Sequence, residues 1–209
     1  MKKYPDNNIE MVESQIKGRN VSDPKVIQAM KEVDRINFVD EEYEKMAYAD
    51  RPLPIGNDQT ISQPYIVGLM TKKLDLNENS KVLEVGTGCG YQTAILCKIA
   101  EFVYSIEVIE NLKNLAEENL SKFDFQNYEL KADNGRKGWN EHAPFDRILV
   151  AAASQDYPTH LINQLKVGGK MILPFGGTFS QHLVLIQKKE TGIEKDKFLP
   201  VRFVPLIDN

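Results

Sequence analysis

The chain has 209 residues, enough for one α/β domain with an extension and too few for two full domains. Its 42% hydrophobic and 27% charged content is that of an ordinary folded domain, and a net charge of −4 argues against a general nucleic-acid binder. Two cysteines, three scattered histidines and no apolar run of membrane-spanning length exclude a disulfide framework, a metal centre built on Cys or His pairs, and a transmembrane helix.

In chain order, residues 6–18 carry Ile9, Val12 and Ile16 at helical spacing, with Gly18 as a stop. Ser22-Asp23-Pro24 signals a helix start, and Val26, Ile27, Met30 and Val33 supply that helix's buried stripe. A short third helix is expected over Asp40 to Met46. Residues 1–63 thus read as a helical cap plus a loop, and residues 64–209 as the core. The loop from Tyr48 to Pro64 holds three prolines and a glycine, so regular structure is not expected in it. Gln59, Thr60, Ser62 and Gln63 concentrate hydrogen-bonding groups there, as a substrate clamp would; a plain proline-stiffened connector is the alternative.

Helical spacing resumes from Pro64 to Leu74. Lys81 to Ala100 then gives a short apolar strand, three glycines at alternating positions (Gly86, Gly88, Gly90), and a run with Tyr91, Ala94, Ile95 and Ile99 on one helix face. Strand, glycine turn and helix open a nucleotide-binding βαβ unit, where the backbone must approach a ligand closely. Dinucleotide enzymes use G-x-G-x-x-G. Here the third glycine comes one residue early and Glu84 precedes the first. Phe102 to Ile106 reads as the next strand, with Glu107 at its end, where an acid can accept from both ribose hydroxyls. Both acids could instead merely solvate strand ends. Cys89 inside the turn is either a reactive thiol or a small side chain that fits.

Ile109, Leu112, Leu115 and Leu120 suggest another helix, and Asn127 to Leu130 a third strand ending at Asp133-Asn134-Gly135. Phe145 to Val150 has the near-continuous apolar end of a central strand, and Ala151 to Ala153 keep its mouth open. Pro158 to Leu165 reads as helix, Val167-Gly168-Gly169 as a turn, Lys170 to Leu173 as strand. His182 to Gln187 and Phe198 to Pro205 close the sheet edge. This alternation predicts a doubly wound, Rossmann-like α/β sheet with helices on both faces.

The glycine pattern Glu84-x-Gly86-x-Gly88-x-Gly90 resembles motif I of class I S-adenosylmethionine-dependent methyltransferases. Taken with Tyr48-x-Asp50-x-Pro52-Leu53-Pro54-Ile55-Gly56, Gln59-Thr60-Ile61-Ser62-Gln63-Pro64, Pro144-Phe145-Asp146, Gln164 to Pro174 and Phe203-Val204-Pro205-Leu206, the chain from Arg35 onward closely resembles the protein-L-isoaspartate O-methyltransferases. The Gln59–Pro64 segment is the most selective of these.

That resemblance implies S-adenosyl-L-methionine as cofactor and methyl transfer to the α-carboxylate of L-isoaspartyl residues in damaged proteins and peptides. It implies that Gln59, Thr60, Ile61 and Ser62 line the junction of cofactor and substrate. Gly86, Thr87, Gly88 and Gly90 would pass the methionine portion, with Glu84 near the sulfonium cation. Glu107 would hold the ribose, and Asn134-Gly135 would lie near the adenine. Asn134 stands where the family usually has Asp, so cofactor binding should survive with altered affinity. Asn57-Asp58 is more polar than the family's glycine-containing form.

No general base is required, since a carboxylate with a pKa of about 4 is ionised at neutral pH. Ser62 and Thr60 are the expected catalytic pair, orienting that carboxylate without neutralising it; Ser62 as the N-cap of the following helix is the competing role. The other functional readings are the same fold acting on a different acceptor, a nicotinamide oxidoreductase, and a non-catalytic binding module. The expected setting is a cytoplasmic monomer with protein substrates, no nucleic acid, no membrane and no metal.

Overall fold

The structure, a computed structural model, describes residues 4–207. Ahead of the main sheet, β1 (Leu53–Gly56) and β2 (Gln59–Ile61) pair as an antiparallel hairpin. The main sheet comprises β3 (Lys81–Val85), β4 (Phe102–Glu107), β5 (Tyr128–Ala132), β6 (Phe145–Val150), β7 (Leu165–Gly177), β8 (Ser180–Lys188) and β9 (Ile193–Val201). Their spatial order is β5-β4-β3-β6-β7-β8-β9. Strands β3 to β7 pair in parallel, whereas β8 runs antiparallel to both β7 and β9. The order reverses at β3, which has β4 on one side and β6 on the other, so a crevice opens at their carboxyl ends.

The central strands are apolar because both faces are covered. Leu149 faces one core with Val82, Val103 and Ile172; its neighbours Ile148 and Val150 face the other with Leu83 and Met171. The first core is packed by α1 (Asn8–Met11), α2 (Pro24–Glu32), α3 (Pro64–Leu74) and α4 (Tyr91–Cys97). The inner end of α5 (Glu110–Leu120) joins the same core through Leu120. The buried cluster runs unbroken from Met11 and Met30 in the cap to Leu149 and Ile172 in the sheet. The second face carries a thinner layer, α6 (Thr159–Asn163) with Trp139 and Leu206. The doubly wound architecture is as expected, with unequal layers.

Local signals set most boundaries. Asp23 caps α2, accepting from the amides of Lys25 and Val26, with Pro24 in the first turn. Asp40 caps a 3₁₀ run over Glu41–Met46, where an α-helix was expected. At the start of the chain only Asn8–Met11 is α-helical, and a wider π turn follows over Val12–Ile16. That turn buries Met11, Val12 and Ile16 and leaves Ile9 59% exposed, so the 3.6-residue stripe misplaced Ile9.

Three expectations fail for identifiable reasons. The Tyr48–Pro64 loop is not irregular: Asn57 and Asp58 both take left-handed backbone (φ 51° and 57°), the requirement of a tight two-residue hairpin turn. Strand β7 begins at Leu165, which shortens α6, and it runs on to Gly177 because residues 174–177 pair with β8. The last strand is Ile193–Val201, and the chain then leaves the sheet edge. The Ala153 amide donates to the Val204 carbonyl and the Leu206 amide to the Ala153 carbonyl, both at 2.8 Å, so residues 203–206 turn back over the mouth of β6.

Candidate active site

Strand β3 delivers the chain into the glycine turn at the crevice. A β-carbon on Gly88 (φ +57°) would lie 3.3 Å from the Ile55 Cδ1, so the β1–β2 hairpin rests directly on the turn. Strand β4 ends at Glu107, which is 5% exposed. One carboxylate oxygen accepts the Gly88 amide at 2.8 Å; the other accepts those of Val108 and Ile109 at 2.9 and 3.0 Å. Three amides therefore fix the carboxylate's orientation. A carboxylate has about four acceptor positions, so capacity remains for a ligand hydroxyl.

Between the turn and the hairpin lies a partly open cavity. Gly86, Thr87, Gly88, Glu107 and Gly135 form its floor and inner wall, and Gln59 to Ser62 form part of the opposite wall. Among the described residues its lining holds no lysine, arginine or histidine, and Glu107 is its one carboxylate. Gly135 is there because nothing larger fits: a β-carbon would lie 2.3 Å from a Val85 methyl carbon.

Three expected ligand contacts do not line this cavity. Glu84 is fully buried behind the turn because it shares the strand parity of Val82, on the α4 side. One of its oxygens accepts from the hydroxyls of Thr93 (2.5 Å) and Ser105 (2.7 Å), and Ser105 in turn meets Thr87 at 2.6 Å. Burial outweighs those two donors, and Glu107 adds repulsion, so the Glu84 carboxyl is pushed up to about 7. Gly90 also turns away: it precedes α4 with φ +88°, and a β-carbon would press on Leu120 and Ala116 of α5. Asn134 caps the 3₁₀ turn Gly135–Lys137, accepting the Arg136 amide at 2.9 Å, and places only its neighbour Gly135 in the cavity. Cys89 lines the cavity but is 3% exposed, and burial pushes its thiol up to about 11, so it is neutral at physiological pH.

The hairpin side presents the hydroxyls. Helix α3 starts at Pro64 with Gln63 in the cap position and no side-chain capping bond, so Ser62 is not its N-cap. Among the described residues the Ser62 hydroxyl has no hydrogen-bond partner, nor has that of Thr60. The Ser62 carbonyl, by contrast, is held at 3.1 Å by the guanidinium of Arg35. Arg35 is 0% exposed and also donates to the carbonyls of Ala47 and Arg51. The sequence pattern gives Arg35 no role and reads Val204 and Pro205 as sheet edge, whereas they wall the cavity together with Leu206. Pro205, inside a supposed strand, was the available signal for the latter.

A family model described as Protein-L-isoaspartate(D-aspartate) O-methyltransferase matches residues 6–209. The chain belongs to that family. Within it, the Protein-L-isoaspartate O-methyltransferase of Picosynechococcus sp. is 48% identical over 196 residues, spanning 94% of this chain and 88% of its own. That of Syntrophus aciditrophicus is 45% identical over 210 residues, spanning 99% and 96%. A candidate protein-L-isoaspartate O-methyltransferase of Plasmodium falciparum, solved in complex with S-adenosyl-L-homocysteine, superposes with a TM-score of 0.86. It is 29% identical and covers 98% of this chain and 100% of its own. For a protein-L-isoaspartate O-methyltransferase family member, the nicotinamide reading of the glycine turn no longer stands.

Proposed function

We infer that this chain is a protein repair methyltransferase, moving a methyl group from S-adenosyl-L-methionine to the α-carboxylate of L-isoaspartyl residues in damaged proteins and peptides. The observation that carries this reading is the Ser62 hydroxyl. It is unpartnered among the described residues and sits on the wall shared by the glycine-turn cavity and the groove beside it.

The residues present fit the cofactor. Glu107 keeps an acceptor position for a ribose hydroxyl, and Gly86, Gly88 and Gly135 leave room for the rest. When bound, S-adenosyl-L-methionine supplies an electrophilic methyl group. The chain's own residues then have to position the acceptor and exclude water. Ser62 and Thr60 can donate to the acceptor carboxylate and aim one of its oxygens into the cavity. Neutral donors suit this task, because a cation would bind the carboxylate hardest before transfer and so oppose reaction. The lack of Lys, Arg and His among the described residues lining the cavity agrees. The hairpin, laid on the turn through Ile55, closes the site from above. Orientation of this kind is worth on the order of 7–11 kcal/mol in favourable cases. The methyl ester product closes to a succinimide as the next residue's backbone nitrogen displaces methanol, and hydrolysis returns some normal aspartate.

Two free, buried cysteines support a reducing compartment such as the cytoplasm. Ser62→Ala should lower kcat roughly ten- to hundredfold while the dissociation constant of S-adenosyl-L-homocysteine changes less than about twofold. Equal loss of both would show that Ser62 shapes the cofactor site, not the acceptor.

A further inference from the structure

We propose that Arg202 is a specificity-determining residue that binds a carboxylate of the substrate chain other than the one being methylated. The proposal rests on the repair reading above and concerns how that site selects among damaged chains.

Beyond Ser62 the cavity opens into two grooves. One lies between Pro52, Gln63 and the Pro200–Val204 segment; the other passes that segment on its far side, over Gly176, Thr178 and Gln155. Thr60 borders the cavity and both grooves, which ties them into one surface. Arg202 borders both grooves and does not line the cavity. Its backbone is held firmly. The Gln181 side chain clasps Phe203, accepting its amide at 2.7 Å and donating to its carbonyl at 3.2 Å, and Val204 is pinned to Ala153.

The side chain is exposed, and among the described residues it makes no ion pair or hydrogen bond. Arg19, Arg136 and Arg147, by contrast, each hold a carboxylate or a main-chain carbonyl. Among the described residues no Asp, Glu, Lys or His lines either groove, so Arg202 is the one charged side chain lining them. A peptide laid across Ser62 into the grooves meets this guanidinium, carried on a backbone held in place. A guanidinium presents a planar fork that matches a carboxylate with two parallel hydrogen bonds. The partner is not the reacting carboxylate, because Arg202 stands outside the cavity and a cation there would favour the ground state. It is an acidic side chain near the isoaspartyl residue, or the terminal carboxylate of a short peptide.

The test uses the full chain and a set of isoaspartyl peptides. Each carries Glu, Gln or Lys at one position within about three residues on either side, and each is made with a free-acid and an amidated C-terminus. The readout is the ratio of kcat/KM for the Glu peptide to that for its Gln twin. We expect a ratio of roughly two- to fivefold at one position, the range of an exposed ion pair. The ratio should fall to about one in Arg202→Gln and should turn to favour Lys in Arg202→Glu. A purely structural arginine would not reverse the sign. If the preference follows the free acid and not the side chain, the chain terminus is the partner. A wild-type enzyme indifferent to charge at every position and at the terminus would overturn the proposal, as would an acidic preference that survives in Arg202→Glu. Methylation of the neutral parent with no charge preference sinks this proposal alone. Failure to methylate any isoaspartyl peptide sinks the repair reading and this proposal with it.

Discussion

Replacing Arg35 with methionine tests whether a buried cation sets the geometry of the Ser62 hydroxyl. Arginine is rarely buried in full without an acid beside it. Arg35 is 0% exposed, its acceptors are three neutral carbonyls, and burial pulls its pKa below the usual arginine range. Those carbonyls belong to Ala47, Arg51 and Ser62, so one side chain ties the cap to both ends of the β1–β2 hairpin. Methionine keeps much of the volume and removes every donor. The Ala47 bond is buried, so losing it leaves that carbonyl unsatisfied at about 1–3 kcal/mol. The other two are part-buried and can take water, for under about 1 kcal/mol each. The sum is about 1–5 kcal/mol, which for a domain of this size lowers Tm by roughly 2–20 °C. Freed from its anchor, Ser62 should lose orientation, so kcat at 20 °C should fall about tenfold or more. Affinity for S-adenosyl-L-homocysteine should hold, because Gly86, Gly88 and Glu107 are untouched. Arg35→Lys, which keeps a cation but not the fork, should recover part of both losses. Thermal unfolding, calorimetric binding and initial rates below the transition give the three numbers. A methionine variant with wild-type Tm and kcat would refute the reasoning. One that loses cofactor affinity in step with kcat would show a general collapse.

Two further outcomes follow from the floor of the site. The Glu84 carboxyl titrates near 7 in the folded protein against an ordinary 4.5, so between those pH values the native state keeps a proton that the unfolded chain has released. Stability should therefore fall as pH rises from about 4.5 to 7 and then level off, by about 3 kcal/mol in total. Urea unfolding of Glu84→Gln should show that decline removed; an unchanged pH slope would place its origin elsewhere. Gly135→Ala drives a methyl to 2.3 Å from Val85, so it should cost about 1–3 kcal/mol of stability and weaken S-adenosyl-L-homocysteine binding. Wild-type affinity in that variant would mean the wall yields freely.

Much of the fold was legible because parallel, doubly buried strands are spelled in apolar residues. Phe145 to Val150 matched β6 to the residue, and Lys81 to Val85 with the glycines marked the crevice. Strand β9 escaped in part because its start, Glu194-Lys195-Asp196-Lys197, is an exposed polar edge that periodicity does not flag. The hairpin escaped because Pro52 and Pro54 argued against strand, although an edge strand tolerates proline and Asn-Asp can take two left-handed positions. At the site, spacing named the glycine turn and Glu107 but not the direction each side chain takes. The parity of Glu84 with Val82 would have placed it under α4. Nothing in sequence spacing brings Arg35 to Ser62 across 27 residues; that contact exists only once the cap is folded onto the core.

The central claim is the acceptor, and the most direct measurement is methyl transfer from labelled S-adenosyl-L-methionine to two synthetic peptides differing only in one linkage. One carries an L-isoaspartyl residue and its twin a normal aspartyl residue. The account predicts label on the isoaspartyl peptide, lost on mild base treatment as a methyl ester should be, and none on the twin. Equal labelling of both, or labelling of the normal peptide alone, would contradict it.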